Sequence, residues 1–192
     1  MPEYPIPQSD RILKLLRERL PDKTYNHVLS VADTMVDMTE QAGITPEQAA
    51  SAGLLHDLCK AFKAEELRVR AERFGISDFL DTPNLLHGPV AAREAELELG
   101  IDDPDVLDAV HWHTTGRPDW SAVGLALYLA DFSEPLRSHP QAVVARGIRA
   151  DEGFIPAVRY AVEQKTENVR KRHGNSPLTE AFADWFARTY PA

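Results

Sequence analysis

Gly53-Leu54-Leu55-His56-Asp57-Leu58-Cys59-Lys60 is an apolar helical stretch that runs into an imidazole, a carboxylate and, one turn later, an ammonium. A run such as Ala52-Gly53-Leu54-Leu55 belongs in a core, and polar groups at its end need partners there. A His–Asp hydrogen bond closing a helix end is one reading of the doublet. Metal ligation is the other, because imidazole nitrogen and carboxylate oxygen both bind iron, manganese, zinc or cobalt. Asp57 has two oxygens and can touch one metal with each.

Working outward, the apolar spacing is helical nearly throughout and no alternating strand pattern stands out. Upstream, Ser9 or Asp10 is read as the cap of a first helix with Ile12, Leu13, Leu16 and Leu20 on one face, ended by Pro21. Thr24 is read as the cap of a second helix carrying Val28, Val31, Met35 and Met38, with Gly43 past its end. Thr45, Pro46 and Gln48 read as cap, first-turn proline and capping-box partner of a third helix that runs to about Lys60.

Downstream, helices are expected over 64–73, 85–99, 104–112 and 123–132, with Pro89 in a first turn, Gly100 as a stop and Ser121 as a cap. Thr114-Thr115-Gly116-Arg117-Pro118 breaks the pattern. The tail predicts helices over 154–171 and 177–189. The fold class is therefore all-α, a helical bundle with a C-terminal helical extension. The 192 residues are read as one domain over 1–192, with a core over about 23–135 and C-terminal helices over about 150–190.

Polar ligand types recur at the ends of the other apolar runs. His27 lies beside the apolar stripe of the second helix, and His87 sits in Leu85-Leu86-His87-Gly88-Pro89. His113 precedes Thr114-Thr115-Gly116, and Asp131 ends the run over 125–130. Each alone has an ordinary structural explanation. Jointly, His27, His56, Asp57, His87, His113 and Asp131 form a set that a bundle can bring together, enough for two metals with room for water and substrate. His111 is two residues from His113, about 200° around a helix, so only one of the pair can face a centre. His113 is preferred because it abuts the loop. His139 and His173 are read as surface residues.

Composition narrows the function. With 30 acidic against 21 basic side chains the formal charge is -9, which argues against a nucleic-acid or membrane-surface binder. An anionic substrate then needs a local basic pocket. The lone Cys59 forms no internal disulfide, so a cytoplasmic setting is expected. Residues 1–8 are proline-broken without an apolar run, so no signal peptide is expected, and no stretch is apolar enough for a bilayer.

The order of His27, His56-Asp57 and Asp131 resembles that of the HD metal-dependent phosphohydrolases. The blocks Leu85-Leu86-His87-Gly88-Pro89-Val90, His113-Thr114-Thr115-Gly116-Arg117-Pro118 and Tyr128-Leu129-Ala130-Asp131-Phe132-Ser133-Glu134-Pro135 narrow the resemblance to the YqeK branch. Members of that branch resemble symmetrical diadenosine tetraphosphate hydrolases. The resemblance implies an HD-domain fold and a dinuclear centre of divalent or mixed-valence ions, iron first, with manganese, cobalt or zinc as alternatives. It would place His27, His56, Asp57 and Asp131 on one ion, with Asp57 bridging to a second held by His87 and His113. Leu58-Cys59 departs from the residues the family often has after the doublet, while Lys60 matches.

Asp57 and Lys60 are thus the candidate catalytic residues. Lys60, Thr114, Thr115, Gly116, Arg117 and Arg137 are the candidate substrate contacts, supplying cations, hydroxyls and close backbone approach to phosphates. The implied substrate is a dinucleoside polyphosphate, cleaved to two ADP in the case of diadenosine tetraphosphate. A nucleotidase or phosphodiesterase acting on another nucleotide, or a non-catalytic nucleotide-binding module, are the alternatives. No nucleic acid or membrane partner is expected; a homodimer is the expected assembly.

Overall fold

The computed structural model describes residues 3–191; Met1 and Pro2, part of the stretch read as lacking a signal peptide, and Ala192 lie outside it. The chain forms α1 (Ser9–Arg19), α2 (Asp22–Asp37), α3 (Thr39–Ala42), α4 (Pro46–Leu55), α5 (Ala64–Arg73), α6 (His87–Leu99), α7 (Pro104–Trp112), α8 (Ala122–Ser133), α9 (Pro140–Asp151), α10 (Phe154–His173) and α11 (Pro177–Thr189). A 3-10 turn, Pro83–Leu85, leads into α6. Among the described residues there is no strand, and no helix is long and apolar enough to cross a membrane.

Local chemistry sets several boundaries. Thr45 accepts from the Gln48 backbone and the Gln48 side chain answers Thr45 N–H, so the capping box that opens α4 is complete. Asp103 accepts from Asp105 and Val106 backbone N–H groups and opens α7. Gly43 and Gly100 terminate helices in the left-handed region.

Other boundaries differ from the sequence reading. Gln8, not Ser9, occupies the N-cap of α1, and Ser9 is buried in the first turn. Pro21 stops α1 and caps α2 directly, so α2 begins at Asp22 and Thr24 falls within its first turn. Met38 breaks the second helix before Gly43, leaving α3 as a separate turn. Ser121 holds the N-cap position of α8 without a side-chain cap bond.

The third helix ends at Leu55, not near Lys60. Residues 56–61 wind on in turns, with Leu58 N–H to Leu55 O and Lys60 N–H to Asp57 O. Leu58 and Cys59 are as buried as the helix itself, so the apolar pattern outlasts the α-helical ladder. The sequence reading also missed α9. Its inward positions are the small Ala142 and Ala145, while Val143 and Val144 are exposed, which blurs the periodicity. His139, exposed as expected, caps that helix by accepting from Ala142 N–H.

Two helices form the centre of the bundle. Every residue of α8 from Val123 to Ala130 is buried, and Ala49 to Leu55 of α4 are buried as well. Helices apolar all round must be surrounded; α8 is packed by α2, α4, α7, α9 and α10. Each buried leucine stabilises the fold by about 1.5–3 kcal/mol, and this pair contributes Leu54, Leu55, Leu125, Leu127 and Leu129 to the core. The most extensive helix contact is α2 on α4. It depends on Gly53, where an added Cβ would lie 2.5 Å from Ala32 Cα and 2.9 Å from its backbone nitrogen. The close approach brings His27 of α2 alongside His56.

Gly53→Ala should therefore destabilise the protein by roughly 1–3 kcal/mol in a urea titration, as overpacking does. Ala32→Gly should fail to rescue it, because the nearest atoms are backbone. A change below about 0.5 kcal/mol, the scale of an ordinary surface substitution, would contradict this packing.

Candidate metal centre

Five helix segments deliver polar side chains to one place. His27 comes from α2, His56 from the C-cap of α4 with Asp57 after it, His87 from the first residue of α6, His113 from the C-cap of α7 and Asp131 from the last turn of α8. The rings run in a chain of edge contacts: His27 to His56 at 5.4 Å, His56 to His113 at 5.2 Å and His113 to His87 at 4.9 Å between centroids. Asp57 lies at the middle. Its Oδ1 is 3.2 Å from His87 Nε2 and 3.5 Å from His113 Nε2, and its Oδ2 is 3.7 Å from His56 Nε2. Asp131 Oδ1 is 3.2 Å from His27 Nε2. Two donor groups share Asp57, His27–His56–Asp57 and Asp57–His87–His113, each with donor atoms within 4.8 Å of one another.

The ring tautomers follow from their partners. Nδ1 of His56, His87 and His113 faces the backbone oxygen three residues earlier, Gly53 at 2.8 Å, Asn84 at 2.8 Å and Val110 at 2.7 Å. A carbonyl only accepts, so each Nδ1 carries the hydrogen and donates it. In the neutral rings each Nε2 is then bare and directed at Asp57. His87 and His113 face each other through two such nitrogens at 3.0 Å, an arrangement that repels unless a cation lies against both. His56 Nε2 is fully buried with no hydrogen-bond partner among the described residues. Buried bare nitrogens around a carboxylate are the donor set a divalent ion takes, and the residues fit such an ion.

Electrostatics in the pocket point the same way. Burial pushes the His56 pKa down to about 4, leaving it neutral and able to ligate. Burial raises the Asp57 carboxyl, but His56, His113, His87 and Lys60 outweigh it and hold the group well below the usual carboxylate range. Asp131 is held low in the same way, chiefly by Lys165 and His27 against its burial. At His27 burial acts downward, but hydrogen bonds with Asp131 and Glu134 overcome it and hold the pKa near about 9.

Cations rim the cluster. Lys60 Nζ is 3.1 Å from His87 Nε2 and 3.6 Å from Asp57 Oδ1, and its side chain is half exposed. Arg137 donates to Asp131 Oδ1 at 3.0 Å and is similarly open. Thr114 Oγ1 lies 3.2 Å from His113 Nε2. Thr115 is buried and donates to Gly116 O. Gly116 has φ +69°, and the Phe182 ring of α11 fills the space where a Cβ would sit. Arg117 is not gathered into the cluster; its guanidinium donates to Asp108 at 2.7 Å. His111 points to Asp78, 3.4 Å away, on the side of α7 away from the cluster.

Two residues at this site had no role in the sequence reading. Lys165 of α10 lies 3.5 Å from Asp131 Oδ2 and 3.7 Å over the Tyr128 ring. Glu134, buried after α8, meets His27 and Ser30. Lys165 carried no local signal, since its partner is on another helix. Glu134 lay inside a quoted block, where a carboxylate in a buried turn was the available clue.

The HD domain model matches residues 24–168 of the chain. A relative named symmetrical bis(5'-nucleosyl)-tetraphosphatase from Staphylococcus aureus is 31% identical over 82% of this chain and 82% of its own length. Another of that name, from Halalkalibacterium halodurans, is 35% identical over 68% of this chain and 71% of its own. The crystal structure of a protein described as a predicted HD superfamily hydrolase involved in NAD metabolism, from Clostridium acetobutylicum, superposes with a TM-score of 0.86 at 30% identity. That match covers 95% of this chain and 98% of the other.

The geometry separates the two neighbouring histidines. His113→Ala should lose about one equivalent of bound metal, whereas His111→Ala should retain the wild-type content by elemental analysis. The reverse pattern would remove His113 from the centre.

Proposed function

The chain belongs to the HD-domain family, and from that premise we propose that it hydrolyses dinucleoside polyphosphates, cleaving diadenosine tetraphosphate symmetrically to two ADP. The observation that carries this reading is the convergence of the bare His56, His87 and His113 nitrogens on Asp57, with His27 and its partner Asp131 alongside, beside a cationic cleft. In this proposal His27, His56, Asp57 and Asp131 hold one ion, and Asp57, His87 and His113 hold a second. Iron is the first candidate; the same donors suit manganese, cobalt or zinc. When bound, two such ions supply Lewis acidity to phosphate oxygens and lower the pKa of water enough for hydroxide chemistry near neutral pH.

The chain's own residues supply binding and orientation. A cavity of about 470 Å³ opens beside Asp131, lined by Arg137, His139, Gln141, Lys165 and Arg172. Three cations there form a local basic pocket on a chain of net charge -9. Lys60 and Arg137 stand at the rim with half-open side chains, positioned to take phosphate oxygens as a point charge and as a planar fork. Thr114 offers a hydroxyl beside His113. Arg117 can join only by giving up Asp108, so its contribution is secondary. The single buried Cys59 supports a cytoplasmic setting.

In the proposed step a water oxygen bonds to the phosphorus beside the central bridging oxygen. The bond from that phosphorus to the bridge breaks, and the bridging oxygen leaves with the second ADP. Run in heavy-oxygen water, the reaction should place one labelled oxygen in half of the ADP formed. ATP plus AMP as products would overturn the symmetrical cut. Arg137→Ala should lower turnover about 100-fold with metal content preserved, and Arg117→Ala should lower it far less. Equal losses would remove the distinction drawn from the Asp108 pairing.

A further inference from the structure

The four histidines are not held alike. His56, His87 and His113 each donate Nδ1–H to a backbone carbonyl three residues earlier. His27 donates its Nδ1–H to a side-chain carboxylate instead, Glu134 Oε1 at 3.0 Å. A neutral carbonyl fixes a ring's orientation and tautomer. A carboxylate does both and also makes the opposite nitrogen a stronger donor to a metal.

Glu134 is built for that task. It is 1% exposed, so solvent screens its charge little, and the one cation near Oε1, Arg137 Nε, stands farther off at 3.7 Å than the His27 ring. Its second oxygen, Oε2, accepts from Ser30 Oγ at 2.6 Å and from Leu136 N–H at 2.6 Å. Ser30 is one turn after His27 on the same helix, so α2 presents the ring and a clamp for the carboxylate together. From the other side, Arg146 of α9 donates to the carbonyls of Ser133, Glu134 and Arg137 and so holds the turn that carries Glu134. No comparable carboxylate stands behind His87 or His113 among the described residues.

We propose that Glu134 is a positioning residue that makes the two halves of the metal centre unequal. It aims His27 and strengthens it as a ligand, so the half containing His27, His56 and Asp131 retains its ion in preference to the half containing His87 and His113. The inference rests on the two-ion reading above. It assigns an electronic difference between the halves over and above the extra carboxylate, Asp131, in the first.

The test is chelator competition on purified, metal-loaded protein, reading the two equivalents separately by elemental analysis. Wild type should release one equivalent readily and one with difficulty. Glu134→Gln keeps the shape and an acceptor for His27 but removes the charge. It should weaken the tightly held equivalent by about 10–100-fold and leave the other unchanged. In the His27→Ala background, Glu134→Gln should have no further effect, because its action passes through that ring. If Glu134→Gln fails to fold, Ser30→Ala serves as the second probe and should weaken the same equivalent by a smaller factor. Equal weakening of both equivalents, no weakening, or a full additional loss in the His27→Ala background would overturn the proposal. A wild-type protein that binds fewer than two equivalents would overturn the two-ion reading and this inference with it.

Discussion

A carboxylate buried among bare imidazole nitrogens is the constraint that organises this molecule. Asp57 is 6% exposed and stays ionised only because His56, His87, His113 and Lys60 surround it. A buried charge is costly unless it is paired and hydrogen-bonded. The bundle meets that cost by ending α4, α7 and α8 at one place and starting α6 there, so each element contributes a group to the same few ångströms. The apolar lengths of α4 and α8 are the anchor for this arrangement. They fix the positions of His56 and Asp131 to within the rigidity of a packed core.

The site extends beyond the residues that face Asp57. Lys165 reaches Asp131 from α10, and Arg146 of α9 holds the turn containing Glu134. Phe182 of α11 fills the space left by Gly116, immediately after the Thr114-Thr115 pair, and packs edge-on against Trp120 and Tyr128. The C-terminal helices thereby support the loop after His113 and the carboxylate that ends α8. Residues with no ligand chemistry of their own are what hold the polar cluster in register.

Much of this was legible in the sequence where the signal is local. The capping box at Thr45-Pro46-Gln48, the Asp103-Pro104 start and the placement of His and Asp at the ends of apolar runs each have a mechanism that acts within a few residues. What was not legible depends on distance or on sidedness. The end of α4 at Leu55 was hidden because Leu58 and Cys59 stay buried after the helical ladder stops. Helix α9 was hidden by a small-residue inner face opposite two exposed valines. Lys165 and the engagement of Arg117 by Asp108 are pairings between side chains brought together by the fold, and no local pattern announces them; at Glu134 the local clue was a carboxylate in a buried turn, but its partner His27 lies on another helix.

The central claim is that two ions share Asp57. Anomalous diffraction at a metal absorption edge, from crystals of protein purified with its metal, tests it most directly. Two peaks should flank Asp57, one against His27, His56 and Asp131 and the other against His87 and His113. A single peak, peaks away from Asp57, or a peak between His111 and Asp78 would contradict the account.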